Sequence, residues 1–378
     1  MLARCRLNRL QISDFRTYAH AEIDLGGGLV VLTGENGAGK TNLVEAVSLL
    51  TQGRGLRRAD LGDMARQGGA GGFAISAEIE GGIGPAQLGT GLIRGEPGRK
   101  ARINRAPAAS VSAFSDHLRI VWLTPDQDGL FRASAGERRR FLDRLVLAVN
   151  PGHGAAVSAL ERALRSRNRL LEDPYSDAGW LDATEREVAE LGVAVAAARL
   201  ETVDRLAHLI DATKRVHSPF PHALIQLEGA MEDQLRQQPA GTVEDWYRAE
   251  LADGRARDRG AGRTLVGPHT SDLVVRHGPK DMPAHLSSTG EQKALLIGLV
   301  LAHARLVASM SGMAPLVLLD EVAAHLDPAR RGALLALLAE LGGQVWLTGA
   351  DPQQFADLPA GATRFHVTPG SVLPILAP

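Results

Sequence analysis

The chain has 378 residues, which is long for one compact unit, so we expect two domains or one domain with a large insertion. Hydrophobic residues make up 44% and charged residues 22%, which excludes wholesale disorder, and a formal net charge of -1 gives no bulk preference for nucleic acid. The single cysteine excludes an internal disulfide, and we find no apolar run of the ~18 residues that a membrane span needs, so we expect a cytoplasmic protein with no membrane partner.

The first predicted elements are two strands within 4–31, joined by a hairpin tip at Arg16–Tyr18, because apolar and polar residues alternate there. Residues 28–50 then combine an apolar strand, a glycine-rich turn and an amphipathic helix pattern. The turn matches the phosphate-binding motif G-x-x-x-x-G-K-[ST], whose fixed positions are filled by Gly34, Gly39, Lys40 and Thr41. A chance match is the alternative in a glycine-rich chain, but the flanking strand and helix and the scarcity of lysine argue against it.

Such a loop points successive backbone N–H groups inward as an anion site, and the helix that follows adds its positive N-terminal end. Lys40 is placed to reach the β- and γ-phosphates, and the Thr41 hydroxyl is placed to ligate the Mg²⁺ that bridges them. The motif therefore predicts ATP and Mg²⁺ as cofactors.

Short antiparallel strands with glycine-rich turns are predicted for 73–106, and a buried strand with a polar loop for Leu118–Phe131. The loop carries Asp126, Gln127 and Asp128, which are placed to sense Mg²⁺ and γ-phosphate, and Gln127 is our candidate metal ligand. A capped turn before a helix explains the same residues equally well.

The sequence changes character at Glu137–Lys214, where apolar residues recur every three or four positions and predict long helices, one of about 34 residues. Strand alternation returns at Thr264–Gly278. We therefore predict an α/β protein with two domains. A discontinuous nucleotide-binding head comprises 1–136 and 264–378, and a mainly α-helical lobe, 137–263, is inserted in it.

A second strand tip with carboxylates lies in Met313–Leu335, where an apolar strand ends in Asp320 and Glu321. Asp320 suits a Walker B role, holding Mg²⁺ opposite Thr41, and Glu321 can polarise the attacking water as general base. Together with Lys40 these are the predicted catalytic residues. An ordinary helix N-cap is the alternative, but the phosphate-binding loop favours the functional interpretation.

Small residues at Ser287–Gly290 precede a long apolar helix. They can cap it, with Glu291 or Gln292 completing a capping box. A helix N-terminus of this kind is also an anion site, suited to a γ-phosphate presented by a second subunit. Asp327 would lie near that interface.

The segments GENGAGKTN, SSTGEQ and LLDEVAAHLD, in this order, resemble the ATP-binding-cassette superfamily in its chromosome-maintenance and recombination branch, the SMC/Rad50 group. SDFRTY, NLVEAVSLLTQGRGLRR, GERRRFLDRLVLAVNPGH, SRNRLL and VGPHTSDL are similar to one family in that branch, the bacterial RecF recombination mediators. The resemblance covers nearly the whole chain. It implies an ATP-binding-cassette ATPase head, with a mixed sheet around the phosphate-binding loop and an antiparallel β meander, and an inserted helical lobe.

The resemblance also implies a function in DNA replication and repair. The family forms a homodimer that sandwiches two ATP molecules, binds DNA at gaps or single-strand junctions, hydrolyses ATP weakly and acts with RecO and RecR. The implied nucleotide contacts are Arg16, Gly34, Glu35, Asn36, Gly37, Ala38, Gly39, Lys40, Thr41 and Asn42. The implied contacts to the partner-bound γ-phosphate are Ser288, Thr289, Gly290 and Glu291, with Asp327 in the D-loop.

Three positions depart from the pattern of the superfamily. Thr289 stands where the signature motif has glycine, and the register of the Q-loop between Asp126 and Gln127 stays open. Thr348 occupies the place of the switch histidine found in many cassette ATPases. We therefore expect slow hydrolysis, which suits a timer better than a motor.

Candidate DNA contacts come from the arginine-rich runs at 54–58, 138–144, 162–169 and 255–263. A solvated face balanced by acidic neighbours is the alternative for any single run, and the few aromatic residues favour contact with the backbone of a duplex. The candidates are Arg54, Arg57, Arg58, Arg138 and Arg139. Two other functions are also compatible with the motifs, an ATP-gated scaffold with vestigial hydrolysis and a cassette subunit of a membrane transporter, although the helical insertion argues against the transporter.

Overall fold

The structure is a computed structural model that describes residues 3–173, 175–214, 220–322, 326–355, 358 and 361–375. The chain divides into two compact units. The first comprises Met1–Asp128, His217–Pro221 and Ser288–Pro378, and the second comprises Gly129–Val216 and His222–Ser287.

One layer of the first unit is an antiparallel sheet. Its strands are β2 (Arg6–Phe15), β3 (Tyr18–Asp24), β5 (Phe73–Gly81), β6 (Gly84–Leu92), β7 (Lys100–Ile103) and β8 (Ala106–Pro107), in the order β3-β2-β5-β6-β7-β8. Burial alternates along β5, because period-two spacing places its apolar residues on one face, which packs on the core. The predicted hairpin and meander are confirmed.

A mixed sheet carries the phosphate-binding loop. Its strands are β4 (Leu29–Thr33), β9 (Ile120–Leu123), β14 (Leu316–Leu319), β15 (Val345–Gly349), β16 (Thr363–Thr368) and β17 (Ser371–Ile375), in the order β17-β16-β4-β15-β14-β9. All neighbours are parallel except β16 and β17. The strands β4, β9, β14 and β15 are buried at every position, which is typical of parallel strands covered on both faces. A short parallel pair, β1 (Ala3–Arg4) and β13 (Met313–Ala314), completes the sheets of this unit.

The helices of the first unit are α1 (Lys40–Ser48), α8 (Thr289–Ser311) and α9 (Pro328–Glu340). One cluster of buried apolar side chains joins α1 to both sheets and includes Leu10, Phe15, Val44, Leu88 and Trp346. The predicted α/β head, with a mixed sheet around the loop and an antiparallel meander, is therefore confirmed.

Helix α8 is long and apolar enough to cross a membrane, with a mean hydropathy of 1.7, but 72% of that stretch is buried in the protein. Gln292, Lys293 and His303 interrupt its apolar residues, so the sequence contains no continuous apolar run of membrane-spanning length here. All three are buried, and Lys293 forms an ion pair with Asp128 at 3.0 Å. We therefore regard α8 as a core helix of the first unit.

The second unit is mainly helical. Its helices are α2 (Ala135–Val149), α3 (His153–Glu172), α4 (Ala178–Thr213), α5 (Ala230–Gln237), α6 (Ala240–Asp253) and α7 (Arg255–Ala261). The 36 residues of α4 confirm the predicted long helix. Its core brings α3, α4 and α6 together through Leu160, Val188 and Tyr247, among others.

A three-stranded antiparallel sheet also belongs to the second unit. It consists of β10 (Ala223–Glu228), β11 (Asp272–His277) and β12 (Met282–Pro283), with β11 in the centre. We predicted the strand at 264–278 but assigned it to the head, and it instead pairs with β10 over six residues. The second unit therefore extends beyond residue 263, because alternation identifies a strand but not its partner.

Candidate nucleotide site

The phosphate-binding loop lies between the end of β4 at Thr33 and the start of α1 at Lys40. Gly39 is the N-cap of α1 with φ 109°, and a Cβ there would lie 2.7 Å from Tyr18 Oη. A Cβ at Gly34 would lie 2.2 Å from the carbonyl oxygen of Val367. Both positions require glycine, because a larger residue would collide with the Tyr18 side chain or with the backbone at Val367.

Lys40 is buried, with 4% of its surface exposed. Its Nζ donates to the carbonyl oxygens of Gly34 at 2.7 Å and Glu35 at 2.8 Å, so the ammonium group folds over its own loop. Burial lowers the pKa of Lys40, and the charges of Glu321 and Asp320 oppose that shift. The loop therefore holds a cation where the phosphates of a nucleotide would need one.

Asp320 and Thr41 meet although they are 279 positions apart in the chain. The Thr41 hydroxyl donates to the carboxylate, with Oγ1 3.0 Å from Oδ2 and 3.1 Å from Oδ1. The Asp320 N–H donates to the carbonyl oxygen of Leu123 at 2.9 Å, which continues the ladder between β14 and β9. Burial raises the pKa of Asp320, against the hydrogen bonds from Thr348 and Thr41. The fold therefore brings the phosphate-binding loop and the strand tip at Asp320 together, as expected.

Glu321 follows Asp320 with a left-handed backbone, φ 52°, which is uncommon for a residue other than glycine. Its N–H donates to Thr348 Oγ1 at 2.9 Å, and the Thr348 hydroxyl donates to Asp320 Oδ1 at 2.7 Å. The Glu321 carboxylate is close enough to Lys40 to oppose the lowering of its pKa. Both predicted acidic residues thus lie beside the loop.

The oxygen atoms at this site fit Mg²⁺. Neighbouring ligands of an octahedral Mg²⁺ ion lie about 3 Å apart, which is the separation between the Thr41 hydroxyl and the Asp320 carboxylate. Within the described part of the chain, no group of three or more His, Cys, Asp or Glu side chains could hold a metal ion. A site with few protein ligands, completed by phosphate and water oxygens, is the usual arrangement for Mg²⁺.

Gln127 lies in the short turn after β9. Its Oε1 accepts the N–H of Thr124 at 3.2 Å, so the side chain caps its own turn. This is the capped turn that we weighed as the alternative, and the role of Gln127 as a metal ligand stays a prediction. The next residue, Asp128, accepts a hydrogen bond from Lys293 of α8 at 3.0 Å.

The predicted capping box at the start of α8 is present. Ser288 is the N-cap, its Oγ accepts the Glu291 N–H at 3.4 Å, and Glu291 Oε2 accepts the Ser288 N–H at 3.1 Å. Thr289 begins the helix, and a Cβ at Gly290 would meet no atom within 4 Å. Asp327 caps α9 in the same way, since its Oδ1 accepts the Arg330 N–H at 2.8 Å. The contacts of these residues to a second subunit stay predictions.

The chain matches the model of the RecF/RecN/SMC N-terminal domain over residues 6–360. It is 54% identical over 376 residues to the DNA replication and repair protein RecF of Mesorhizobium japonicum, covering 99% of each chain. It is also 54% identical over 371 residues to the protein of the same name from Brucella abortus, covering 98% of this chain and 96% of the relative. The chain belongs to the RecF family.

Solved structures show the same fold. The recombination mediator protein RecF bound to ATP aligns with a TM-score of 0.86 at 19% identity, covering 100% of this chain and 99% of that one. The Smc head domain of Pyrococcus furiosus, bound to the C-terminal domain of ScpA, aligns with a TM-score of 0.55 at 16% identity, covering 98% and 96%. The first unit of this RecF-family chain therefore has the ATP-binding-cassette head fold of the SMC group.

In this RecF-family chain, the predicted nucleotide contact Arg16 is bound to α1. Its guanidinium donates to both carboxylate oxygens of Glu45, at 2.6 and 2.8 Å, and Glu45 is fully buried. Arg57 Nη1 donates to the same carboxylate at 3.2 Å and to Asn42 Oδ1 at 2.7 Å. The hairpin tip thus packs on the loop helix, and direct contact of Arg16 with a nucleotide stays a prediction.

The five candidate DNA contacts of this RecF-family chain differ in their surroundings. Arg138 binds both oxygens of Asp272, at 2.6 and 2.7 Å, and Arg139 Nη1 donates to the Ser271 carbonyl oxygen at 2.6 Å. Both bonds fix β11 to α2 inside the second unit. Arg54 is more exposed and pairs with Asp60 at 2.5 Å, while Arg57 binds the loop helix. Arg58 has a left-handed backbone, φ 54°, in the same segment. Arg138 and Arg139 are therefore weaker candidates than the 54–58 segment.

The sequence analysis missed Glu45 and gave Thr348 no contact. The signal for Glu45 was present, because it is a lone carboxylate in the apolar stretch 43–50 and must find a cationic partner once the helix is buried. The bonds of Thr348 depend on strand register, which pairs β14 with β15. The register between two strands that are distant in the chain cannot be predicted from the hydrophobic pattern of each strand alone.

Proposed function

We propose that this RecF-family protein is an ATP-dependent DNA-binding protein of DNA replication and repair, located in the cytoplasm. The observation that carries the proposal is the contact between Thr41 and Asp320 beside a buried Lys40. This contact supports the proposal because it brings together residues 279 positions apart, as a nucleotide site built from both motifs would require. The names of the RecF relatives support the role in replication and repair.

In the proposed reaction, bound ATP and Mg²⁺ supply the transferred γ-phosphoryl group and the charge that neutralises it. Lys40 moves from its loop carbonyls to the phosphates. Thr41 and Asp320 orient their oxygen atoms towards the metal. Glu321 accepts a proton from the attacking water, which is the role of a general base. The product is ADP and phosphate, formed slowly.

The homodimer is the second part of the proposal. The start of α8 presents Ser288 and the open surface at Gly290 to a γ-phosphate held by a second subunit, and Asp327 lies at the start of α9. ATP then joins two subunits into a clamp that binds DNA at gaps or junctions, and hydrolysis releases it. RecO and RecR are the proposed protein partners. The mainly helical second unit, with α3 of 20 residues and α4 of 36, disfavours a transporter subunit.

The decisive experiment measures molecular mass in solution without nucleotide, with ADP and with ATP, each with Mg²⁺ and with or without a gapped duplex. We expect a dimer with ATP alone and DNA retention that is tightest in that state and falls steeply with salt. A monomer in every condition, with no DNA binding at low salt, would contradict the proposal.

Replacing Ser288 with arginine should abolish the ATP-dependent dimer and leave ATP binding to the monomer intact. The side chain would occupy the surface that meets the partner-bound phosphate. The measurement is dimer mass with ATP beside the affinity for a fluorescent ATP analogue. The matched control is Ser134→Arg, because Ser134 is the N-cap of α2 and accepts the Glu137 N–H. This variant loses the same kind of N-cap bond and should still form the ATP-dependent dimer. A dimer that survives in Ser288→Arg would refute the assignment of the signature surface.

A further inference from the structure

Thr348 occupies the switch position of the candidate site, where the superfamily pattern has histidine rather than threonine. It lies near the end of β15, level with Asp320, because Leu347 pairs with Leu319 in the parallel register. The side chain is buried, with 1% exposed. Its hydroxyl makes two hydrogen bonds, since it donates to Asp320 Oδ1 at 2.7 Å and accepts the Glu321 N–H at 2.9 Å.

The bond to Glu321 holds a strained peptide. A left-handed backbone at a residue other than glycine persists only when its surroundings fix it. At Glu321, φ is 52°, and the Thr348 hydroxyl accepts the N–H of this residue. The conformation that places the Glu321 carboxylate beside Lys40 is therefore tied to one hydroxyl group.

The bond to Asp320 involves the same oxygen. Asp320 Oδ1 accepts hydrogen bonds from both Thr348 and Thr41, which restricts the rotation of the carboxylate. One side chain thus connects the proposed metal-binding carboxylate with the backbone of the proposed general base.

We infer that Thr348 is a positioning residue for ATP hydrolysis, which sets the geometry of Asp320 and Glu321 together through its single hydroxyl group. The inference rests on the proposed ATPase function. The residue at the switch position of this chain therefore has a role other than phosphate contact, since its hydroxyl binds the Asp320 carboxylate and the Glu321 backbone N–H.

The test is Thr348→Val, which keeps the shape of the side chain and removes both hydrogen bonds. We expect the turnover number to fall about 10- to 100-fold, because small misplacements of catalytic groups cost up to that much. The affinity for a non-hydrolysable ATP analogue should change less than about threefold. The ATP-bound dimer should persist longer, because slower hydrolysis delays its release. Thr348→Ser retains the hydroxyl and should restore turnover.

Two controls separate positioning from general damage. Thr90→Val removes one buried hydroxyl bond, to the Lys100 carbonyl oxygen, in the antiparallel sheet and should leave turnover unchanged. Adding Thr348→Val to Glu321→Gln should lower the single-turnover rate by a smaller factor than Thr348→Val does in the wild-type protein, because only Asp320 is then left to position.

The outcomes are distinguishable. A wild-type protein that binds no ATP overturns the proposed function and this inference with it. A wild-type protein that hydrolyses ATP, with Thr348→Val at wild-type turnover, overturns the inference alone. Loss of turnover in both Thr348→Val and Thr348→Ser, with weakened ATP binding, assigns Thr348 a structural role and also overturns it. If Thr348→Val does not fold, the rate and affinity of Thr348→Ser and Thr348→Ala decide in the same way.

Discussion

Replacing Glu321 with glutamine should lower the rate of ATP hydrolysis by about 10²- to 10⁴-fold, because glutamine cannot accept the proton of the attacking water. The side chain keeps its size, and the backbone bond to Thr348 does not involve the carboxylate. ATP binding should therefore persist and the ATP-bound dimer should live longer. The measurement is steady-state turnover together with dimer lifetime after removal of free ATP.

A control variant and the wild-type turnover are needed to interpret the Glu321→Gln experiment. Glu78→Gln makes the same chemical change at an exposed carboxylate on β5 of the antiparallel sheet, away from the proposed site residues, and should have a much smaller effect. Unchanged turnover in Glu321→Gln would remove Glu321 from the mechanism. Negligible turnover in the wild-type protein, with intact dimerisation, would favour the ATP-gated scaffold over the ATPase clamp.

Replacing Arg167 with leucine should lower the free energy of unfolding of the second unit by about 3–5 kcal/mol, because it removes the main cationic partner of the buried Asp258 and leaves the buried Glu185 paired with Arg255 alone. Arg167 is fully buried. Its guanidinium donates to Glu185 at 3.0 Å, to Asp258 at 2.8 Å and to the Leu251 carbonyl oxygen at 2.7 Å. The measurement is urea unfolding of the full chain, followed by far-ultraviolet circular dichroism of its helices.

Arg169 provides the matched control, because it belongs to the same helix and the same arginine-rich run but is exposed. Arg169→Leu should change the free energy of unfolding by less than about 0.5 kcal/mol. Equal effects of the two substitutions would show that the buried ion pairs of Arg167 do not contribute to the free energy of unfolding.

Arg167 also shows where sequence reasoning reached its limit. The run 162–169 was interpreted as a basic face, either free for DNA or balanced by acidic neighbours in solvent. The structure instead buries one of its arginines against Glu185 of α4 and Asp258 of α7, which lie 18 and 91 positions away. Apolar spacing cannot predict that a charged residue is buried, because the residue itself is not apolar. Its burial requires charged or polar partners, and here the fold brings them from distant parts of the chain.

Local patterns predicted much of the remaining structure. The 3.6-residue periodicity was sufficient to predict helix α4, and the spacing of glycine and lysine was sufficient to predict the loop at 34–41. The helix and the loop each depend on residues that are close together in the chain. The place of β11 and the role of Thr348 depend on pairing between distant strands. No short-range pattern encodes such pairing.

The contact between Thr41 and Asp320 has a consequence for the timing of synthesis. Ribosomes add about 5–20 residues per second, so the carboxylate emerges roughly 14–56 s after the hydroxyl that it binds. An incomplete chain carries the loop and Lys40 but lacks Asp320, Glu321 and Thr348. A nascent or truncated protein therefore cannot assemble the proposed hydrolysis site, and only nearly complete chains can enter the cycle of ATP binding and release.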